Sequence, residues 1–384
     1  MSAKLKILFE AGPMLDAQKT GVGYYVDGMV HSLADCYGKQ VDLKGYYFNF
    51  LRRNPGKVRT DKNISYSEIR FTPGKLLSLC RRLHFQPYLE IFIRDQADVV
   101  WFTNYVALPM LKKQRNIVTI YDTSFLDVPD FTQEINLAYL KRFCPPSIEH
   151  ADLIITISEF TKSRLQAHFP GLKAPIVVTP IPPQPIPEIS TTFSSHLSSL
   201  GIQPKRYLLY LGTIEPRKNL VSLIEAYHQL DVSLKNQYSL VLAGGKGWKD
   251  ESILEAASNF KAQGDNIVLT GYISDLEKHS LYANASCFVL PSHYEGFGMP
   301  ILEALQYGVP TVVSDLPVFH EVAKAGVLYF DKDSIQSITT NLQDILTNED
   351  LQKDLIKEGY AQLASYSWKL NADNVYKELN NLAR

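Results

Sequence analysis

Two glutamates, Glu295 and Glu303, stand with seven residues between them. Ionised carboxylates accept paired hydrogen bonds from vicinal hydroxyls, so they suit a sugar or a ribose. A solvated Glu295 and a Glu303 that merely favours a helix dipole is the bland alternative. The residues between them, Gly296, Phe297, Gly298, Met299, Pro300, Ile301 and Leu302, tip the reading toward function. Glycines let a ligand approach the backbone, and proline suits the first turn of a helix, where its missing N–H costs nothing. An apolar run, Ala285 to Leu290, reads as a buried strand ahead of the loop. Ile301 to Tyr307 reads as a short helix closed by Gly308, and Val309 to Ser314 as a second strand. A strand, a glycine loop and a helix N-terminus make a geometry that holds phosphorylated ligands.

A basic pair is the second chemical feature. Arg217 and Lys218 lie in GTIEPRKN, which starts at Gly212 after an apolar strand. Two cations there can neutralise a diphosphate leaving group. Asn219 is placed to cap the helix Leu220 to Leu230. Gly244 to Gly247, GGKG, ends another strand; its glycines admit a nucleotide, or Lys246 marks an ordinary solvated loop. Gly271-Tyr272-Ile273 ends the next, where Tyr272 either packs beside a base or simply terminates a strand. Near the start of the chain, Thr20-Gly21-Val22-Gly23 joins the strand Leu5 to Glu10 to a helix over Tyr24 to Tyr37. It lacks the third glycine of a dinucleotide fingerprint and is a weak signal alone.

These groups need a scaffold, and the hydrophobic pattern describes one. Strands recur at Val41–Phe50, Asp98–Thr103, Asn116–Asp122, Asp152–Ser158 and Pro175–Pro180, with helical stretches between most of them. Ser158 is a good N-cap for the helix that follows. PIPPQPIP, Pro180 to Pro187, cannot enter a helix or a central strand, so it reads as a linker. The pattern then restarts, with strands at Tyr207–Gly212, Ser239–Gly244, Asn266–Gly271, Ala285–Leu290, Val309–Ser314 and Gly326–Phe330. The expected fold class is α/β: two doubly wound Rossmann-like domains facing across a cleft, with ligands at the carboxyl ends of the strands. The domains are expected at 1–185 and 186–365, with an amphipathic C-terminal helix over 366–384.

The 384 residues, 45% hydrophobic and 21% charged, suit a globular protein of two ordinary domains. Residues 1–185 carry 23 Lys+Arg and 17 Asp+Glu, and the remainder 16 and 23, so a basic half precedes an acidic one. That excess is too small and scattered for nucleic acid. Cys36, Cys80, Cys144 and Cys287 form no C-x-x-C pair, and no histidine cluster has metal-ligand spacing; Asp331-Lys332-Asp333 is a lone pair in a turn. No metal and no cofactor is expected. The N-terminus shows no signal peptide, no run spans a membrane, and the expected setting is cytoplasmic. Leu51 to Lys62 and Gly74 to Leu83 are basic. They read as a solvated loop and a surface helix or, alternatively, as contacts for an anionic acceptor or the inner membrane face.

E-G-F-G-x-P-x-x-E followed by G-x-P-x-V-x-S-D, together with L-G-T-x-E-P-R-K-N, resembles the signature of the retaining GT-B glycosyltransferases of family 4. The resemblance covers nearly the whole chain and is loosest between residues 45 and 95, where an acceptor should bind. It implies that Glu295 contacts the donor sugar, Glu303 the ribose, and Arg217 and Lys218 the diphosphate. The amides of Phe297 to Met299 would help hold the sugar. Gly21, Val22 and Gly23 would lie under the diphosphate, and the backbone near Tyr272 and Ile273 would meet the base. It further implies that the last helix crosses back to the first domain. Family members carry His-Asp where this chain has Tyr121-Asp122. A tyrosine, with its high pKa, is a poor base at neutral pH. Either Tyr121 only positions the sugar or another group does; Asp122 either accepts the acceptor's proton or caps a turn.

The wording TGVGYY, LGTIEPRKN and SDLPVFHEV is most similar to bacterial polysaccharide mannosyltransferases. The resemblance thus implies a hexosyltransferase acting on a nucleotide-sugar donor, GDP-mannose first, and a glycan or polyprenyl-linked acceptor. Three other classes are compatible with the residues: a sugar-nucleotide epimerase, a retaining hydrolase using Glu295 and Glu303, and a non-catalytic nucleotide-sugar sensor.

Overall fold

The computed structural model describes residues 4–15, 19–49, 63–70, 85–112, 114–187 and 193–383. The chain forms two compact units, one of residues 1–181 with 367–384 and one of residues 182–366.

The first unit is built on a seven-stranded parallel sheet: β1 (Leu5–Glu10), β2 (Val41–Phe48), β3 (Ile64–Ile69), β4 (Val99–Phe102), β5 (Arg115–Ile120), β6 (Leu153–Thr156) and β7 (Ile176–Val178). Their order is β3-β2-β1-β4-β5-β6-β7. Central strands such as VVWF and LIIT are buried along their whole length, as expected where helices cover both faces. The sequence reading omitted β3, because ISYSEI alternates too many polar residues and only Ile64 and Ile69 are buried. The first helix starts at Gly21, three residues earlier than its apolar spacing suggests. The expected glycine turn is therefore its first turn. Gly23 is required there by packing, since a Cβ would lie 2.5 Å from the Pro13 carbonyl oxygen.

The last helix, Trp368–Ala383, belongs to this unit. Its Trp368 ring occupies the space a side chain on Gly28 would need. Ser32 donates to the Trp368 carbonyl, and Tyr376 stacks on Tyr37 at 3.8 Å between centroids. A glycine in the first helix thus lets an indole from the far end of the chain lie against helical backbone.

The second unit carries six parallel strands: β8 (Tyr207–Leu211), β9 (Ser239–Ala243), β10 (Ile267–Gly271), β11 (Cys287–Leu290), β12 (Thr311–Ser314) and β13 (Leu328–Phe330). Their order is β10-β9-β8-β11-β12-β13. Winding begins at the centre, proceeds to one edge, and then crosses back to the other side of β8. Neighbours β8 and β11 therefore have connections leading to opposite sides of the sheet, which opens a crevice at their carboxyl ends.

Candidate active site

Both chemical motifs lie at that switch point. GTIEPRKN follows β8, and PSHYEGFGMP follows β11. Adjacent strands bring together groups 77 residues apart in sequence: Lys218 Nζ lies 2.5 Å from Glu295 Oε1. Arg217 donates to Glu295 Oε2 at 2.9 Å, to Glu215 at 2.7 Å and to the Tyr294 carbonyl at 2.8 Å. Ser292 donates to Glu295 at 2.8 Å. Burial alone would raise the Glu295 carboxyl, but Arg217, then Lys218, together with the bonds from Lys218 and Ser292, hold it down at about 2. Burial pushes the Lys218 ammonium down, against the pull of Glu295. A carboxyl held at about 2 is the opposite of what the general acid of a hydrolase requires.

The loop reaches its helix, Met299–Gln306, through Gly298, whose φ of 105° serves as the N-cap. A Cβ there would also meet Phe319 at 2.8 Å. Met299 and Pro300 occupy the first turn, half-buried, and Gly296 is buried. Phe297 turns inward and packs edge-on against Tyr366. Ile301, expected with its loop neighbours to bind the donor, has a fully buried side chain, and its N–H donates to the Gly298 carbonyl. It anchors the helix rather than facing a ligand.

Glu303, one turn in, is gripped by Lys278 at 3.2 Å and the Tyr282 hydroxyl at 3.0 Å. Lys278 and Tyr282 lie one turn apart on the helix Asp275–Asn284. Neither belongs to a motif, and only their i, i+4 spacing on one helix face hints at a shared role. Glu215 and Ser292 were also missed, although each lies within three residues of the group it serves.

The loop glycines after β8 and β9 have a structural reason. A Cβ on Gly244 would lie 1.9 Å from the Gly212 carbonyl oxygen, so the two loops touch backbone to backbone. Lys246 is exposed. Asn219 does not cap its helix as expected; it takes a left-handed conformation, φ 54°, and donates to the Lys332 carbonyl. Tyr272 is 61% exposed at the end of β10, while Ile273 beside it is buried.

In the first unit, Gly21, Val22 and Gly23 form the start of the first helix, behind a Thr20 that makes no side-chain cap. Tyr121 does not offer its hydroxyl to a ligand. It is buried, donates to the Thr103 carbonyl at 2.7 Å, and meets Tyr25 edge-on at 5.5 Å. Burial drives its pKa well above the ordinary value. Asp122 accepts from the Ser124 N–H at 2.9 Å and so caps the turn that follows. The basic stretches 51–62 and 74–83 lie outside the described residues. Among the described residues, no three His, Cys, Asp or Glu side chains gather in a way that could hold a metal ion. Nor is any helix there long and apolar enough to cross a membrane.

Glu10, at the end of β1, is a buried carboxyl shifted in the opposite direction to Glu295. Burial raises it to about 7, partly offset by a hydrogen bond from the Thr103 backbone. An acid with a folded value above its unfolded 4.5 binds protons more tightly in the native chain. Its contribution to stability is greatest below pH 4.5 and is lost as pH rises toward 7. The difference amounts to about 3 kcal/mol. Urea unfolding from pH 5 to 8 should show the wild type losing stability relative to Glu10→Gln as pH rises. Parallel pH profiles would refute the assignment.

The two parallel sheets, with the constellation between β8 and β11, can be set beside known proteins. The family described as glycosyl transferases group 1 matches residues 195–362. The chain is 29% identical over 392 residues to the O-antigen chain mannosyltransferase B of Escherichia coli, covering 98% of this chain and 100% of that one. It is 30% identical to the serotype-specific mannosyltransferase WbdA of the same organism over 71% of this chain, but spans only 32% of that protein. Anabaena Alr3699/HepE, solved in complex with UDP and glucose, superposes with a TM-score of 0.68 at 14% identity, over 98% of this chain and all of that one. Residues 195–362 thus match the group 1 glycosyl transferases, and the fold of the chain is that of GT-B proteins.

Proposed function

We propose that the protein is a retaining hexosyltransferase that moves mannose from GDP-mannose to a hydroxyl of a glycan or polyprenyl-linked acceptor in surface polysaccharide synthesis. The observation that carries this reading is the pair Arg217–Lys218 held by Glu295 at the switch point of the second sheet. A diphosphate leaving group meets two cations there, and the carboxylate between them is fixed in its ionised form. The name of the O-antigen relative supports mannose over other hexoses.

In this reading the acceptor oxygen attacks the anomeric carbon from the face the diphosphate leaves. The new C–O bond forms as the bond from the anomeric carbon to the diphosphate oxygen breaks, and the acceptor's proton passes to the departing diphosphate. Arg217 and Lys218 stabilise the charge that develops there. Glu295 and the backbone at Phe297 to Met299 hold the sugar. Glu303 accepts from the ribose hydroxyls, exchanging Lys278 or Tyr282 for the ligand. Exposed Tyr272 offers a face to the base. The first unit takes the acceptor, and the reaction needs neither metal nor cofactor. With its hydroxyl committed to the Thr103 carbonyl, Tyr121 has a packing role inside the first unit.

The test is thermal denaturation with GDP, UDP and ADP. A ligand bound only by the folded chain raises the melting temperature, by an amount equivalent to about 2.7 kcal/mol at a hundredfold excess over Kd. GDP is expected to give the largest shift. Glu303→Ala should weaken GDP binding about tenfold, with circular dichroism unchanged. No shift with any of the three would sink the donor assignment, and unchanged affinity in Glu303→Ala would remove the ribose contact.

A further inference from the structure

The sheet of the first unit has a switch point of its own, between β1 and β4. A cavity of about 220 Å³ lies there. Glu10 from the end of β1 and Asn104 from just beyond β4 contribute polar groups, and Gln86 borders it from the segment before β4. Thr103 ties the two strand ends together by donating to the Glu10 carbonyl at 2.8 Å. Rings supply the walls: Phe48 stands edge-on to Tyr46, and Tyr139 lies 5.2 Å from Phe143. The Gln86 Nε2 atom is buried and has no hydrogen-bond partner among the described residues. Asn104 leads directly into Tyr105, a non-glycine residue at φ 58°, so the loop presents the cavity from a sparsely populated backbone conformation.

These features restrict what fits. A hydrocarbon would leave the Gln86 Nε2 unpaired and the Glu10 carboxyl with only the Thr103 backbone hydrogen bond in a desolvated place. An anion would face the Glu10 carboxyl, and a cation would face the amide N–H groups of Gln86. A hydroxyl both donates and accepts, so it satisfies the two together. Aromatic walls suit the C–H face of a ring that carries such hydroxyls. We infer that this cavity holds one pyranose residue of a neutral, hydroxyl-rich ligand, bonded by Glu10 and Gln86 and covered by the rings of Phe48, Tyr139 and Phe143; resting on the transferase reading, that residue belongs to the acceptor. Neither Glu10 nor Gln86 is part of a motif, and both are specificity-determining groups for the acceptor sugar. Carboxyls at the two switch points thus do different work: Glu295 is pinned as an anion among cations, and Glu10 forms no ion pair among the described residues.

The experiment uses the full chain with GDP present and methyl α-D-mannopyranoside and methyl α-D-glucopyranoside as probes, read by saturation-transfer NMR. At least one glycoside should bind, and Glu10→Gln and Tyr139→Ala should each raise its Kd about tenfold. 1-Octanol and tetramethylammonium should not displace it. A cooperative melting transition, measured on the same samples with and without GDP, reports that each variant is folded. No binding of either glycoside at roughly 50 mM, equal affinity in both variants, or displacement by octanol or tetramethylammonium would overturn the inference. A retained GDP shift with no glycoside binding ends this inference and leaves the donor reading standing. Glycoside binding that depends on Glu10, without any GDP shift, supports the cavity and fails the donor reading.

Discussion

Turnover by a Lys218→Met variant is expected to fall by about 10²–10³, with the protein still folded. The magnitude is that of removing one preorganised group from charge developing in a transition state. Lys218 is well placed for that cost, because its side chain is only 12% exposed and water cannot easily substitute for it. The loss should fall on kcat more than on KM, since the diphosphate gains charge only as the glycosidic bond breaks. A structural cost accompanies it. Glu295 loses one of its two cations and keeps Arg217 and Ser292, so destabilisation should be about 1–3 kcal/mol rather than the larger cost of an uncompensated buried charge. Steady-state kinetics and urea unfolding separate the two effects. A kcat within fivefold of wild type, in a folded variant, would show that the pair is only a structural brace for Glu295.

A larger stability effect is expected from Gly244→Ala. The new methyl would sit 1.9 Å from the Gly212 oxygen and 2.7 Å from its carbonyl carbon, both backbone atoms that no rotamer change can move. The two loops cannot simply part. Gly212 donates to the Ala243 carbonyl at 2.9 Å, Ile214 to that of Gly245 at 3.0 Å, and Gly247 to that of Ile214 at 3.0 Å. Relieving the clash means breaking part of this ladder beside the Arg217–Lys218 turn. The expected loss is about 3 kcal/mol or more, seen as a lower melting temperature for the second unit, with transfer lost as the turn shifts. Gly245→Ala is the control: a Cβ there meets nothing within 4 Å. It should stay within about 0.5 kcal/mol of wild type. Equal stability of the two variants would mean that the loops are looser than their hydrogen bonds imply.

The two readings of GGKG illustrate how far local pattern reaches. Its glycines were legible, and so was a strand before them. Their cause was not, because Gly212 is 32 residues away and contacts Gly244 only after β8 and β9 pair. Tyr121 shows the same limit. The missing histidine was visible at once, but the direction of the tyrosine hydroxyl depends on Thr103 at the end of a neighbouring strand. Asn219 carried a good capping side chain and spent it on the Lys332 carbonyl, because a left-handed backbone turned it away from its own helix.

Sequence alone determined that strands and helices alternate in two series, that prolines separate them, and which loops carry the carboxylates and the cations. Those properties are local: burial on both faces writes an apolar run, and a turn or a helix start writes its own glycine or proline. Tertiary structure alone decided that β8 lies beside β11, so that Arg217 and Lys218 close on Glu295. It also decided that Lys278 and Tyr282 hold Glu303, and that Glu10 faces a ring-lined cavity. Strand order is set by how the whole sheet buries its faces, and no stretch of neighbouring residues records that choice.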